Sequence, residues 1–165
     1  MQMALRQKQL DFIYNIASTS ITPSMCSGHS LMGVMCEGGT LELLLDRGVT
    51  FNRDQAITHA QWSVDIGDRR VMAGVHYPSD NICSWIIFLL AAQFLFHRPI
   101  VALLMGYAIR NLSFVYKTIV DYAVKEHSGY VYRDALAALN SYLPPKELTI
   151  EDILKDPSPW QPYQP

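Results

Sequence analysis

A chain of 165 residues, half of them hydrophobic and 17% charged, is long enough to enclose a core and too apolar to be disordered. A formal net charge of −2 excludes a global attraction to nucleic acid or to an anionic membrane surface, so neither is expected as a partner. Three cysteines, Cys26, Cys36 and Cys83, are an odd number without a CxxC pair. That pattern argues against a disulfide framework or a zinc site, and for reduced, mostly buried thiols.

Residues 4–17 carry Leu5, Leu10, Ile13 and Ile16 at helical spacing but lack the continuous apolar centre of a secretory signal. The chain as given therefore reads as cytoplasmic, or as periplasmic or secreted if an N-terminal segment has been removed. A second helix is expected over 30–45, with Gly38-Gly39 interrupting or kinking it. The polar turn DRGVTFNRD (46–54) puts Asn52 where it can cap a helix over 54–72. On that helix Ala56, Ala60, Ser63 and Gly67 recur at steps of three and four, a face of small residues that a neighbouring helix can approach closely.

After a break at Gly74, Pro78 or Ser79 starts a long apolar helix through about Phe96. Its most apolar stretch, 82–96, stops at His97-Arg98-Pro99, short of the roughly 20 residues that cross a bilayer. The expectation is the central helix of a soluble bundle, not a membrane span. Pro99 opens another helical run to about Val124, 125–130 is a loop, and 131–141 a short helix ended by Pro144-Pro145. Thr149 to Leu154 is one more turn or two, and DPSPWQPYQP is a proline-rich tail extended along the surface. No strand-like alternation, repeat or heptad stands out. The expected architecture is an all-α helical bundle, one domain over 1–143 with a tail over 144–165.

Two short clusters carry chemistry. In SGHSLMG, Ser27 and the Gly28 amide precede a helix start, where unpaired amides favour an anion, and His29 is placed to donate a proton. In RRVMAGVHYPSDN, Arg70, His76 and Asp80 are spaced R-x5-H-x3-D. With Asp80 one helical turn beyond His76, its carboxylate can hold one ring nitrogen while the other points outward as nucleophile or base. Arg70 offers a planar fork suited to phosphate oxygens. Each piece has a plainer reading: a helix-stabilising His–Asp bond, a solvent-facing helix-start histidine at His29, an ordinary cap at Ser27. The two clusters in this order, about 40 residues apart, favour the catalytic one.

Around these clusters, Arg69 is expected on the surface or in an ion pair, and Asp68 paired with one of the two arginines. His59, His97 and His127 show no ligand spacing and read as structural. Tyr77 and Trp62 read as core or pocket wall. Cys26 is expected to be a small buried thiol, with a redox-sensitive gate on the site as the other reading.

Residues 23–97 resemble the superfamily of type-2 phosphatidic acid phosphatases, bacterial class A acid phosphatases and vanadium haloperoxidases, whose signature is K-x6-RP, then PSGH, then SR-x5-H-x3-D. The second part matches as Cys26-Ser27-Gly28-His29, with cysteine for proline. The third matches from Arg69-Arg70 to Asp80, with arginine for the first serine. The first part has no counterpart: upstream of Ser27 the basic residues are Arg6 and Lys8, and Arg98-Pro99 follows both motifs. The favoured expectation is that a segment carrying those groups precedes Met1; supply by another chain and a degenerate site are the alternatives.

The resemblance implies a helical phosphatase core and a phosphomonoester hydrolase acting on a small soluble phosphate ester. His76 would attack phosphorus, Asp80 orient its ring, His29 act as acid and then base, and Arg70, Ser27 and the Gly28 amide hold the equatorial oxygens. It implies no metal and no cofactor for hydrolysis, with vanadate as inhibitor, or as cofactor in a haloperoxidase. A lipid phosphate phosphatase would need more spanning helices, and a non-catalytic module retaining the anion pocket is the reading from another class. An apolar face left by a missing N-terminal helix would favour a homodimer.

Overall fold

The computed structural model describes residues 26–125 and 130–156, and these form seven α-helices and no strand. They are α1 (Gly28–Asp46), α2 (Arg53–Met72), α3 (Pro78–Leu95), α4 (Pro99–Asn111), α5 (Phe114–Lys125), α6 (Tyr130–Tyr142) and α7 (Ile150–Lys155). The protein is an all-α bundle. The expected helix over 4–17, His127 and the end of the proline-rich tail lie outside the described residues.

Helix α1 starts at Ser27, whose side chain accepts a bond from the Ser30 amide at 3.2 Å, and runs unbroken through Gly38-Gly39. The expected interruption is absent, and Gly38 serves packing: a Cβ there would stand 2.7 Å from Phe96 Cζ and 3.3 Å from Val101 Cγ1. Asn52 and Gln55 form a capping box that opens α2, with side chain-to-amide bonds of 2.9 and 3.1 Å. The small face of α2 is buried against α1. Gly33 faces Ser63, and Ser30 faces Gly67, while Glu37 pairs with His59, so the two helices run antiparallel. In contrast α1 and α3 run parallel, with Ser30 bonded to Asn81 near their starts and Gly38 against Phe96 near their ends. The starts of α1 and α3 and the end of α2 therefore share one end of the bundle.

The expected run from Pro99 to Val124 is two helices, α4 and α5, bent by 50° at Leu112–Ser113. Side-chain acceptors break it. Ser113 Oγ takes the Tyr116 amide at 3.1 Å, and buried Asp68 accepts from Ser113 Oγ at 2.8 Å and from the Phe114 amide at 2.6 Å. Asp68 thus caps α5 rather than pairing with an arginine. Burial pushes its carboxyl up to about 6 against the opposing pull of those hydrogen bonds.

Helix α4 is the core: Val101, Leu103, Leu104, Met105, Ala108 and Ile109 are fully buried, in one cluster with Leu41 of α1 and Trp85, Phe88 and Leu89 of α3. Each large side chain so buried contributes about 1.5–3 kcal/mol of transfer free energy. After α6 the chain stays on the bundle. Pro144 packs where a Cβ on Gly106 would be, 2.6 Å away, and Ile150 and Ile153 of α7 are buried. Helix α3, at 18 residues, is longer than its most apolar stretch, and by length and composition alone could cross a bilayer; half of it is buried inside the bundle.

Candidate functional site

Glycine and proline placement builds the turn that carries His76. Gly74, at φ 75°, ends α2 in a conformation that side-chain-bearing residues rarely adopt. Two residues later Tyr77 precedes Pro78 at the first helical position of α3. Asp80, in that first turn and buried, accepts from His76 Nδ1 at 2.9 Å and from the Tyr77 amide at 3.0 Å, both through Oδ2. The imidazole is thereby held through Nδ1, as the i,i+4 spacing anticipates. Its Nε2 is buried and has no hydrogen-bond partner among the described residues.

His29, from the other cluster, lies with its ring centroid 6.4 Å from that of His76 at a tilt of 56°. The ring is solvent-exposed overall, yet partial desolvation is the largest cause lowering its pKa from 6.5, followed by the charge of Arg70 and then that of His76. Arg70, in the last turn of α2, is half-buried and close enough to act on His29 electrostatically. Gly28 is exposed at the start of α1 with nothing within 4 Å of where a Cβ would be. Ser27 is fully buried, and its side chain is the cap of α1. Two helix N-termini, a guanidinium and two imidazoles converge, a local field suited to an anion.

All six residues expected at the site, Ser27, Gly28, His29, Arg70, His76 and Asp80, belong to this end of the bundle. The surrounding expectations divide. Arg69 is exposed and pairs with Asp65 at 3.4 Å, as anticipated for a surface arginine. His59 pairs with Glu37, and His97 with Glu42 and Asp46, both away from the cluster. Trp62 is 55% exposed and walls a groove between α1 and α2 together with Met32, Ile66 and Arg69. No group of three His, Cys, Asp or Glu side chains suited to a metal ion occurs among the described residues.

The cysteines correct the expectation of reduced, buried thiols. Cys26 and Cys83 are joined in a disulfide across Cα atoms 5.2 Å apart, and Cys36 is free and exposed. Cys26 is exposed, not tucked into a core. Sequence separation hid the pair: its members stand 57 positions apart, with α1, α2 and the turn that returns the chain to the same end between them.

Several residues that hold the site together were not singled out. Ser84, one turn past Asp80, lies 2.8 Å from the Ser27 carbonyl and 2.9 Å from the Asp80 carbonyl through its hydroxyl. The Ser27 amide donates to the Asp80 carbonyl at 3.1 Å, and Ser30 Oγ donates to Asn81 Oδ1 at 2.5 Å. Their signal was the i+4 register of Ser84 on Asp80, legible only once the two helix starts are known to meet.

Comparison with known proteins finds no matching family model, no matching curated protein and no matching solved structure.

Proposed function

We propose that the protein is a phosphomonoester hydrolase of the acid phosphatase type, acting through a phosphohistidine on a small soluble phosphate ester. The observation that carries the reading is the His76 imidazole: anchored by Asp80 through Nδ1, buried and unpartnered at Nε2, and facing a second histidine from a distant motif. An unpartnered buried nitrogen costs about 1–3 kcal/mol, which bonding to a ligand atom recovers. Proximity to His29 suits a two-step displacement, because one imidazole can serve as nucleophile while its neighbour serves as acid and then base.

In the first step His76 Nε2 attacks phosphorus as the ester P–O bond breaks, and His29 gives its proton to the departing oxygen. Asp80 stabilises the imidazolium that forms. In the second step neutral His29 takes a proton from water, the water oxygen attacks phosphorus, and the P–N bond breaks. Arg70 and the amides at the start of α1 stabilise the equatorial oxygens, with the buried Ser27 hydroxyl holding that start in shape. The lowered pKa of His29 suits acid-side operation, since the proton donor must be charged for the first step.

The test is hydrolysis of an aryl phosphate across pH 4–8, with and without vanadate, beside a His76→Ala variant. Vanadate-sensitive turnover that vanishes in the variant is the expected result. No turnover in folded protein overturns the reading and leaves an anion-binding module. Peroxide- and halide-dependent oxidation with vanadate would turn it to a haloperoxidase.

A further inference from the structure

We propose that the Cys26–Cys83 disulfide is a reducible latch that positions the anion-binding start of α1 against His76 and Asp80; the consequence for catalysis rests on the phosphatase reading. The disulfide flanks the site at both helix starts. Cys26 immediately precedes Ser27, and Cys83 immediately precedes Ser84, the residue beside the Ser27 and Asp80 carbonyls. Hydrogen bonds also link the two helix starts: Ser27 amide to Asp80 carbonyl, Ser84 hydroxyl to Ser27 carbonyl, Ser30 hydroxyl to Asn81. One covalent bond therefore reinforces an arrangement otherwise maintained by a few buried hydrogen bonds between residues of separate helices.

The latch is accessible. Cys26 is exposed and Cys83 half-buried, so a small dithiol can reach the bond. A reductant thiolate attacks one sulfur, the S–S bond breaks, and the reductant's second thiol resolves the mixed disulfide. Two electrons and two protons pass to the protein, leaving Cys26 and Cys83 as thiols and the reductant as a cyclic disulfide. Freed at Cys26, the Gly28 amide and His29 lose register with His76 Nε2. A misplacement of about 1 Å at a reacting centre costs up to about a hundredfold in rate.

The experiment uses the full chain, oxidised and after reduction with dithiothreitol, with a Cys26→Ser/Cys83→Ser double variant as the permanently open form. Alkylation should label one of the three cysteines before reduction and all three after it. Hydrogen exchange should then show the bonded amides of Ser27, Ser30 and Leu31 losing protection on reduction while α4 stays protected. Vanadate affinity and aryl phosphate turnover should fall at least about tenfold, return on reoxidation, and be redox-insensitive in the double variant. Labelling of three cysteines in the untreated protein, or unchanged exchange at Ser27, Ser30 and Leu31 after reduction, overturns the latch. Loss of exchange protection with vanadate bound by neither form supports the latch and overturns the phosphatase reading. Should the double variant fail to fold, the reversible reduction of the native chain decides alone.

Discussion

Replacing Gly67 with alanine tests both the packing of the bundle and its connection to the site. Gly67 lies on the buried face of α2, and a Cβ there would stand 2.5 Å from Ser30 Oγ, 2.9 Å from Ser30 Cβ and 3.2 Å from Asn81 Nδ2. Ser30 is the residue after His29, and its Cβ cannot swing away, so α1 must shift or the Ser30–Asn81 bond must break. Overpacking costs about 1–3 kcal/mol and the lost hydrogen bond about 1 kcal/mol, against about 1 kcal/mol gained in helix propensity, a net loss of about 1–3 kcal/mol. Gly39→Ala is the control: it also lies within a helix but has nothing within 4 Å of its Cβ position, so it should be neutral or gain up to about 1 kcal/mol. Thermal unfolding followed by circular dichroism separates them, at about 2–4 °C per kcal/mol for a chain of this size. A Gly67→Ala protein as stable as Gly39→Ala would refute the close approach of α1 and α2.

Asp80→Asn keeps the shape of the turn but weakens its hold on the His76 imidazolium, and kcat should fall between about 10²- and 10⁴-fold with KM little changed, measured on an aryl phosphate. Arg70→Gln should raise the His29 titration midpoint, read by NMR of the ring protons, by removing a positive neighbour, and weaken phosphate binding; an unmoved midpoint would separate Arg70 from the site. Asp68, pushed up from 3.8 to about 6 by burial, binds its proton more tightly folded than unfolded. Its contribution to stability is fully present below pH 3.8 and lost as pH rises through about 6, an amplitude of about 3 kcal/mol. Urea midpoints of wild type and Asp68→Asn across pH 3.5–7.5 should diverge in that window, and parallel curves would contradict the buried cap.

Much of the fold was legible because its signals are local. Asn52 before a small-residue helix, Pro78 and Pro99 at helix starts, and Pro144-Pro145 after Tyr142 each act within one turn, and each marks an observed boundary. The misreadings all turned on partners distant in sequence. Gly38-Gly39 looked like a break until Phe96 filled the space beside Gly38. The run after Pro99 looked continuous because the carboxylate that splits it, Asp68, comes from α2. Cys26 and Cys83 looked unpaired because two helices separate them. At the site, the i,i+4 spacing of His76 and Asp80 foretold their bond. The approach of His29 to His76 was suggested only by the resemblance of both clusters to a shared signature, since spacing within a chain says nothing about two loops meeting.

The central claim is that His76 Nε2 becomes covalently bonded to phosphorus during turnover. Rapid acid-free quenching of the protein with excess aryl phosphate, followed by peptide mass spectrometry, measures it most directly. The expected result is an acid-labile phosphoryl group on His76, lost in His76→Ala and accumulating when His29→Ala slows its hydrolysis. Turnover with no phosphoryl group on His76 in either the wild type or the His29→Ala protein would contradict it.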